Sequence, residues 1–392
     1  MRHAFFSDPH QQPKTYKKKG LFMDSKYFGK LSVIGMKGSE GFIESVDKYL
    51  HQFRDDSDET YIVKADCPRF GTGEGKGIIL ETLRGHDTYI FADVFNYGVK
   101  YKMYGQMVPM SPDDHFQDLK RMIGAISGKA RRISVIMPML YEGRQHKRSA
   151  RESLDCAIAL QELVNMGVSN IITFDAHDPR VQNAIPRSGF DNVRTSYQML
   201  KAIVREYPDI TFDPATTMII TPDEGGMSRA MYYSSVLGVE LGMFYKRRNY
   251  TVIVDGRNPI EAHEFLGKSV EGKDTIIIDD MISSGDSVID VAKQLKGMGA
   301  RRVFVFTTFG LFCNGCERLD AAYEQGLIDR IFTTNLNYRA PEIIERPWYA
   351  EVNMCKYVSY IIDRLNRDES MSDLLNPLKK IHTLVDGIRE GK

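Results

Sequence analysis

An excess of charge of either sign is missing: Lys plus Arg and Asp plus Glu both number 52 in a chain of 392 residues. No global field therefore draws it to nucleic acid or anionic lipid. Cysteine is scarce, five in all, and an odd count in so long a chain does not suit the disulfide framework of a small secreted module. A reducing compartment fits better. No apolar run reaches membrane-spanning length, and the stretch from Met1 to Lys19 is polar, with Lys17, Lys18 and Lys19 where a signal peptide needs an apolar segment. Internal repeats and low-complexity tracts are also missing. These absences predict a cytoplasmic protein that handles small molecules, with a loose N-terminal arm and neither nucleic acid nor membrane as partner.

What is present is a rhythm. Apolar runs at Ile133–Met137, Ile171–Phe174, Met218–Ile220, Thr251–Val254, Thr275–Ile278 and Val303–Phe306 alternate with helical patterns at Ser153–Met166, Thr195–Tyr207, Gly226–Leu237 and Ser287–Met298. Such alternation predicts an α/β fold of mostly parallel sheets flanked by helices. In the helix after Arg151, the residues Leu154, Ile158, Leu160 or Gln161, and Val164 return at three- and four-residue steps until Gly167 stops it. The turn formers in Ile185–Asp191 mark a boundary. We expect an arm over 1–29, lobes over 30–192 and 193–350, and a terminal region over 351–392. In that region a helix near Tyr357–Arg367 packs back on the first lobe, and the tail after Asp368 is weakly specified.

The stretch from Thr275 to Ser287 is the most informative. Ile276, Ile277 and Ile278 read as a strand covered on both faces. Asp279 and Asp280 follow at its carboxyl end, where open α/β sheets bind ligands and where two acids can meet sugar hydroxyls or a metal-bound diol. Ser283-Ser284-Gly285-Asp286-Ser287 then opens an amphipathic helix carrying Val288, Val291, Ala292 and Leu295. Its backbone N–H groups and hydroxyls can hold a phosphate. An ordinary turn with solvated acids is the plainer alternative.

Elsewhere the residues leave two readings each. His177, after the run Ile171–Phe174, can meet a phosphate or a metal, or be a hydrogen-bonded loop residue. Asp223 can hold Mg²⁺ while Gly225 and Gly226 admit close backbone approach, or can cap the next helix. The cluster Lys246-Arg247-Arg248 can serve a closing loop or be a solvated surface. Cys313 and Cys316 have the spacing of a zinc pair, but no second pair accompanies them, so a structural role is expected.

Five blocks in one order resemble the ribose-phosphate pyrophosphokinase family, also called phosphoribosyl pyrophosphate synthetases. They are Arg69-Phe70-Gly71-Thr72-Gly73-Glu74 with Leu83-Arg84-Gly85-His86-Asp87; Tyr141 to Arg148; Phe174-Asp175-Ala176-His177; Thr221 to Gly226; and Tyr245 to Arg248 ahead of the acid pair. The resemblance implies two phosphoribosyltransferase-type domains, Mg²⁺, and transfer of the diphosphoryl group of ATP to ribose 5-phosphate. It also implies that Lys246 and Arg248 stabilise the transition state and that Phe70, Thr72, Glu74, Arg144, Gln145 and His177 bind ATP. His177 and Asp223 would hold the metal. Ribose 5-phosphate would take Asp279, Asp280, Ser283, Ser284, Gly285, Asp286 and Ser287. Dimers assembled into hexamers are implied too, because the hairpin around Phe70 would complete a neighbour's ATP site. Thr72 and His146 stand where the family has Asp, and the loop at 283–287 is closer to that of base-transferring phosphoribosyltransferases, which marks a divergent member. A base-transferring enzyme and a silent regulatory homologue are the alternatives.

Overall fold

The computed structural model describes residues 27–54, 60–248 and 260–390. Most of the N-terminal arm and the run Thr251–Val254 lie outside the described residues. The chain begins with β1 (Lys30–Gly35) and α1 (Glu40–Arg54), then the short pair β2 (Ala65–Asp66) and β3 (Ile78–Ile79). Next come β4 (His86–Phe91), a hairpin of β5 (Lys100–Met103) and β6 (Gln106–Pro109), α2 (Pro112–Ile126), β7 (Arg132–Ile136), α3 (Asp155–Asn165), β8 (Asn170–Phe174) and β9 (Gly189–Val193). After α4 (Ser196–Glu206) follow β10 (Thr217–Thr221), α5 (Met227–Leu237), β11 (Glu240–Arg248), β12 (Ile260–Leu266) and β13 (Asp274–Ile282). The remainder is α6 (Asp286–Gly297), β14 (Arg302–Gly310), α7 (Glu317–Glu324), β15 (Arg330–Thr334), α8 (Pro341–Ile344), β16 (Tyr349–Val352), α9 (Cys355–Asn366), α10 (Ser372–Leu375) and α11 (Leu378–Arg389).

Two sheets organise these elements. The first has five parallel strands in the order β1-β4-β7-β8-β9, and the second seven in the order β12-β11-β10-β13-β14-β15-β16, parallel except for β12. The fold is α/β, as the alternation of runs predicts. The central strands β13 and β14 carry the fully buried apolar runs Ile276–Ile278 and Val303–Phe306, as strands covered on both faces require. Local chemistry fixes the ends: Ser111 and Asp114 form a reciprocal cap on α2, at 3.1 and 3.0 Å, with Pro112 in the first turn. Gly238, at φ 67°, stops α5 in the left-handed conformation that glycine adopts freely.

Several expectations change. The stretch Ile185–Asp191 is more than a connection, since β9 starts within it. The side chains of α3 that turn inward are Cys156, Ala159, Leu160 and Leu163, while Ile158 is 47% exposed. Of the expected stripe Leu160 is buried and Val164 packs against the core, whereas at Ile158 the inward place is taken by Cys156 and Ala159. Lys246 to Arg248 belong to β11, paired with β12 around a bulge, and are not a loop. Asp279 and Asp280 lie inside β13, which runs on to Ile282. Beyond Asp368, α10 and α11 bury Leu374, Ile381 and Val385, and Arg389 donates to the carbonyls of Phe212 and Leu237 at 3.0 and 3.1 Å.

The helix expected near Tyr357 is α9, and it returns to the first sheet. Arg132 grips the buried Asp87 in a fork at 2.8 and 2.7 Å and also donates to the Leu365 carbonyl, while Asn366 donates to Asp87 at 2.9 Å. A second bridge lies at Asp93, just past β4, whose carboxylate accepts the Tyr338 N–H at 2.6 Å and the Phe95 N–H at 3.1 Å. Burial pushes this carboxyl up to about 6, against the pull of those N–H groups and of Arg339. With the folded value above the unfolded one, its contribution to stability is complete at low pH and is lost as pH rises through about 6. Asp93→Asn, which does not titrate, is expected to gain on the parent by up to roughly 3 kcal/mol between about pH 4 and pH 7. Urea unfolding at the two pH values measures this; a difference that does not change with pH would show an unshifted carboxyl. No helix among the described residues is long and apolar enough to cross a membrane.

Candidate active site

Because β10, β11 and β13 run parallel, their carboxyl ends share one edge. Ile277, Ile220 and Gly242 stand in one row, and Asp279, Asp280, Asp223 and the backbone of Lys246 to Arg248 all lie just beyond it. Chain order reverses here, since the sheet grows from β10 to β11 on one side and to β13 on the other. Such a reversal leaves a crevice outside the strand ends. Asp223 adopts the plainer of its two expected roles at least: its carboxylate accepts the Gly225 N–H at 2.9 Å and caps the short turn Glu224–Gly226. A side chain at Gly226 would meet the Thr221 hydroxyl at 2.6 Å, so only glycine lets this turn lie against the strand.

On the other side of the crevice, Gly285 takes φ 84° and leads into α6, where the Asp286 N–H donates to the Ser284 hydroxyl at 3.4 Å. Ser284 donates to the Asp286 carboxylate at 3.1 Å, and Arg318 pairs with the other oxygen of Asp286. The turn is closed from behind by the Cys313 N–H, which donates to the Ser283 carbonyl at 2.8 Å. Cys313 is exposed, Cys316 is buried and both are free thiols, so no disulfide joins this pair.

The two sheets meet at this point. His177, from the segment after β8, donates from Nδ1 to the Asp280 carboxylate at 2.6 Å. That hydrogen bond raises His177 above its ordinary pKa, outweighing its partial burial. Burial alone would raise Asp280, but its bond to His177 and the charge of Arg229 hold it low. Asp279 is pushed the other way, first by burial and then by the charge of Asp280. The two adjacent acids are therefore pushed in opposite directions. Asp175 adds a second tie, accepting from Thr195 at 2.7 Å and from Thr308 of β14. Its backbone has φ 41°, a left-handed geometry that is costly outside glycine and is held here by these partners.

Above this junction opens a cavity of about 660 Å³, with His146, Lys147, His177, Arg180, Arg194, Glu224 and Arg229 in its walls. His146 faces Asp178 at 3.4 Å, and its ring lies 5.4 Å from that of His177. Arg180 grips Asp178 and holds its carboxyl at about 2, well below the usual range. Cations thus dominate the walls, which suits a polyphosphate. Arg144 reaches a small pocket beside His177 and Asp280, whereas Gln145 lines neither space. Phe70, Thr72 and Glu74 line neither of them either; they sit on a turn of their own, where Phe70 is 58% exposed and Thr72 donates to Glu74 at 2.8 Å. Residue patterns did not single out Asp175, Asp178, Arg180, Arg194 or Arg229. Asp175 stands in the block Phe174-Asp175-Ala176-His177, but the others are scattered polar residues whose convergence depends on the meeting of the sheets.

Comparison with known proteins agrees with this geometry. Residues 31–167 match the family model described as the N-terminal domain of ribose phosphate pyrophosphokinase, and residues 252–376 match the phosphoribosyl synthetase-associated domain. A ribose-phosphate pyrophosphokinase of Vibrio cholerae is 26% identical over 328 residues, which cover 82% of this chain and 94% of the relative. That of Mycoplasma genitalium is 28% identical over 296 residues, or 74% and 84%. The crystal structure of phosphoribosylpyrophosphate synthetase from Mycobacterium smegmatis shares the fold, with a TM-score of 0.70 at 19% identity, and covers 86% of this chain and 99% of that one.

Proposed function

The chain belongs to the ribose-phosphate pyrophosphokinase family, and on that premise we propose that it transfers the β,γ-diphosphoryl group of ATP to O1 of ribose 5-phosphate, giving phosphoribosyl pyrophosphate and AMP. One observation carries the reading. His177 from the first sheet and Asp280 from the second are in direct contact at 2.6 Å, between a cation-walled cavity suited to a triphosphate and a turn suited to a sugar phosphate.

The residues divide the work accordingly. Gly285 and the start of α6 receive the 5-phosphate, with Ser283, Ser284 and Ser287 adding hydroxyls. Asp280 accepts from the pentose hydroxyls, while Asp279, whose pKa burial and the Asp280 charge push up, donates a hydrogen bond when protonated and loses its proton to water when a cation binds beside it. Holding its second nitrogen towards the cavity, His177 presents an N–H to the phosphates when charged. Lys246 and Arg248, at the same edge, supply positive charge to the oxygens of the moving group. Such a transfer needs fixed cations more than a protein nucleophile.

The donors at hand also fit Mg²⁺. Among the described residues no three His, Cys, Asp or Glu converge to cage a metal, and Mg²⁺ is ordinarily held by one or two carboxylates together with substrate phosphates. Asp223, Asp279 and Asp280 offer oxygen; His177, a nitrogen donor, suits a phosphate better than this ion. When bound, Mg²⁺ would neutralise charge on the transferring phosphoryl oxygens.

Among the described residues no Phe, Tyr or Trp lines the cavity. We assign contact with the nucleotide base to Phe70, Thr72 and Glu74 of a neighbouring copy in a homo-oligomer. The five unpaired cysteines are in keeping with a cytoplasmic setting. Incubation with Mg-ATP and ribose 5-phosphate is expected to release AMP. Pyrophosphate release with a nucleobase and no ATP would instead favour the base-transferring alternative, to which the Ser283–Ser287 turn is closer. Nucleotide binding without turnover would favour the regulatory one.

A further inference from the structure

We propose that Arg194 is a binding residue for the phosphates of the nucleotide, held in position by the ring of Tyr232. The proposal rests on the reading of the cavity as the triphosphate site. Of the cations in the cavity walls, most already face an acid. Arg180 and His146 meet Asp178, at 2.9 and 3.4 Å, and His177 meets Asp280 at 2.6 Å. The charge of Arg229 falls on Asp279 and Asp280. Arg194 lines the same cavity but makes no hydrogen bond or ion pair with any described residue.

What Arg194 does touch is a ring. Its guanidinium carbon lies 4.0 Å from the centre of the Tyr232 ring, which stands on α5 and packs against the core. The Tyr232 hydroxyl is buried without a partner, so the position makes use of the ring and not of its polar tip. An aromatic face takes up one side of a guanidinium and leaves its five N–H groups free along the edge. A fork steadied in this way loses less freedom on gripping phosphate oxygens than a side chain loose in water, and its geometry matches theirs. Lys147, also without a partner in the walls, is a point charge on a flexible stem.

The backbone that carries Arg194 is fixed on both sides. The Val193 carbonyl accepts the Asp175 N–H at 3.0 Å, and the Thr195 hydroxyl donates to the Asp175 carboxylate at 2.7 Å. Arg194 is thereby tied to the segment that carries His177, at the end of the first sheet, while its stack reaches α5 beside the second. An arginine kept for solubility needs neither a ring beneath it nor a backbone so held. This one spans the two halves at the wall of the cavity.

The test uses the full chain and calorimetric titration with an ATP analogue bridged by methylene between its outer phosphates and, separately, with ribose 5-phosphate. Arg194→Gln is expected to weaken the analogue about ten-fold or more, the effect of losing a charge-assisted hydrogen bond, with ribose 5-phosphate affinity and melting temperature close to the parent's. In turnover, KM for ATP should rise while kcat stays near the parent's, since a grip on the phosphates is felt before and during the transfer alike. Tyr232→Phe should keep the parent's affinity and Tyr232→Leu lose part of it, which separates the ring from the hydroxyl. Equal analogue affinity in parent and Arg194→Gln, with AMP formation intact, overturns the role of Arg194 alone. Equal weakening of both ligands also overturns it, because it marks a merely structural contact between the halves. A parent chain that neither binds the analogue nor forms AMP overturns this role and the reading beneath it together.

Discussion

Asp280→Asn is expected to lower kcat/KM for ribose 5-phosphate by about a hundred- to a thousand-fold, the largest loss at the pentose side of the site. The change keeps the shape of the side chain and one acceptor for His177, so the fold should survive. It removes the charge on which two neighbours depend. His177 loses the bond that raises its pKa and therefore gives up its proton at lower pH than in the parent. Asp279 loses the like charge that, after burial, pushes it up. A pH profile of kcat/KM should accordingly lose activity on its alkaline side earlier than the parent's. Parental kinetics throughout the pH range would exclude these acids from the chemistry.

Lys246→Ala should act differently, lowering kcat by about a hundred-fold or more with KM for both substrates nearly unchanged. The reasoning is topological. β11 is the neighbour of β10 and runs parallel to it, so its last residues leave the sheet at the edge that bears Asp223 and the acid pair. A strand end backed by pairing with β12 leaves the backbone at Lys246 less freedom than a free loop would. A charge that meets only the moving diphosphoryl group stabilises the transition state more than the bound substrate, which is why kcat falls and KM does not. A kcat within a few-fold of the parent's would place Lys246 outside the reaction.

The sequence is most readable where one physical cause acts alone. A strand buried on both faces must be apolar, so Ile276 to Ile278 announce β13, and Val303 to Phe306 announce β14. Gly285 marks its turn because few other residues accept that φ. Reading fails where causes compete. The acids at 279 and 280 suggest a strand end, yet β13 continues beneath them because His177 and Arg229 compensate their charge. Lys246 to Arg248 read as a loop by charge alone, and pairing with β12 extends the strand regardless. In α11, Ile381 and Val385 have a helical spacing, but so short a signal in a polar tail gains meaning only from the surface that receives it. The cavity cations are the least readable, since Arg180, Arg194 and Arg229 come from segments that the fold alone unites.

The return of α9 to Asp87 and Arg132 has a consequence for synthesis. Arg54 and Asp363, which meet at 2.8 Å, are 309 positions apart in the chain. A ribosome making this protein releases the strands of the first sheet long before the helix that completes it, so the nascent amino-terminal half must wait with Asp87 and Arg132 lacking their last partners. Vectorial folding, half by half, is thereby denied, and fragments ending before Cys355 should emerge as clients of chaperones instead of stable modules.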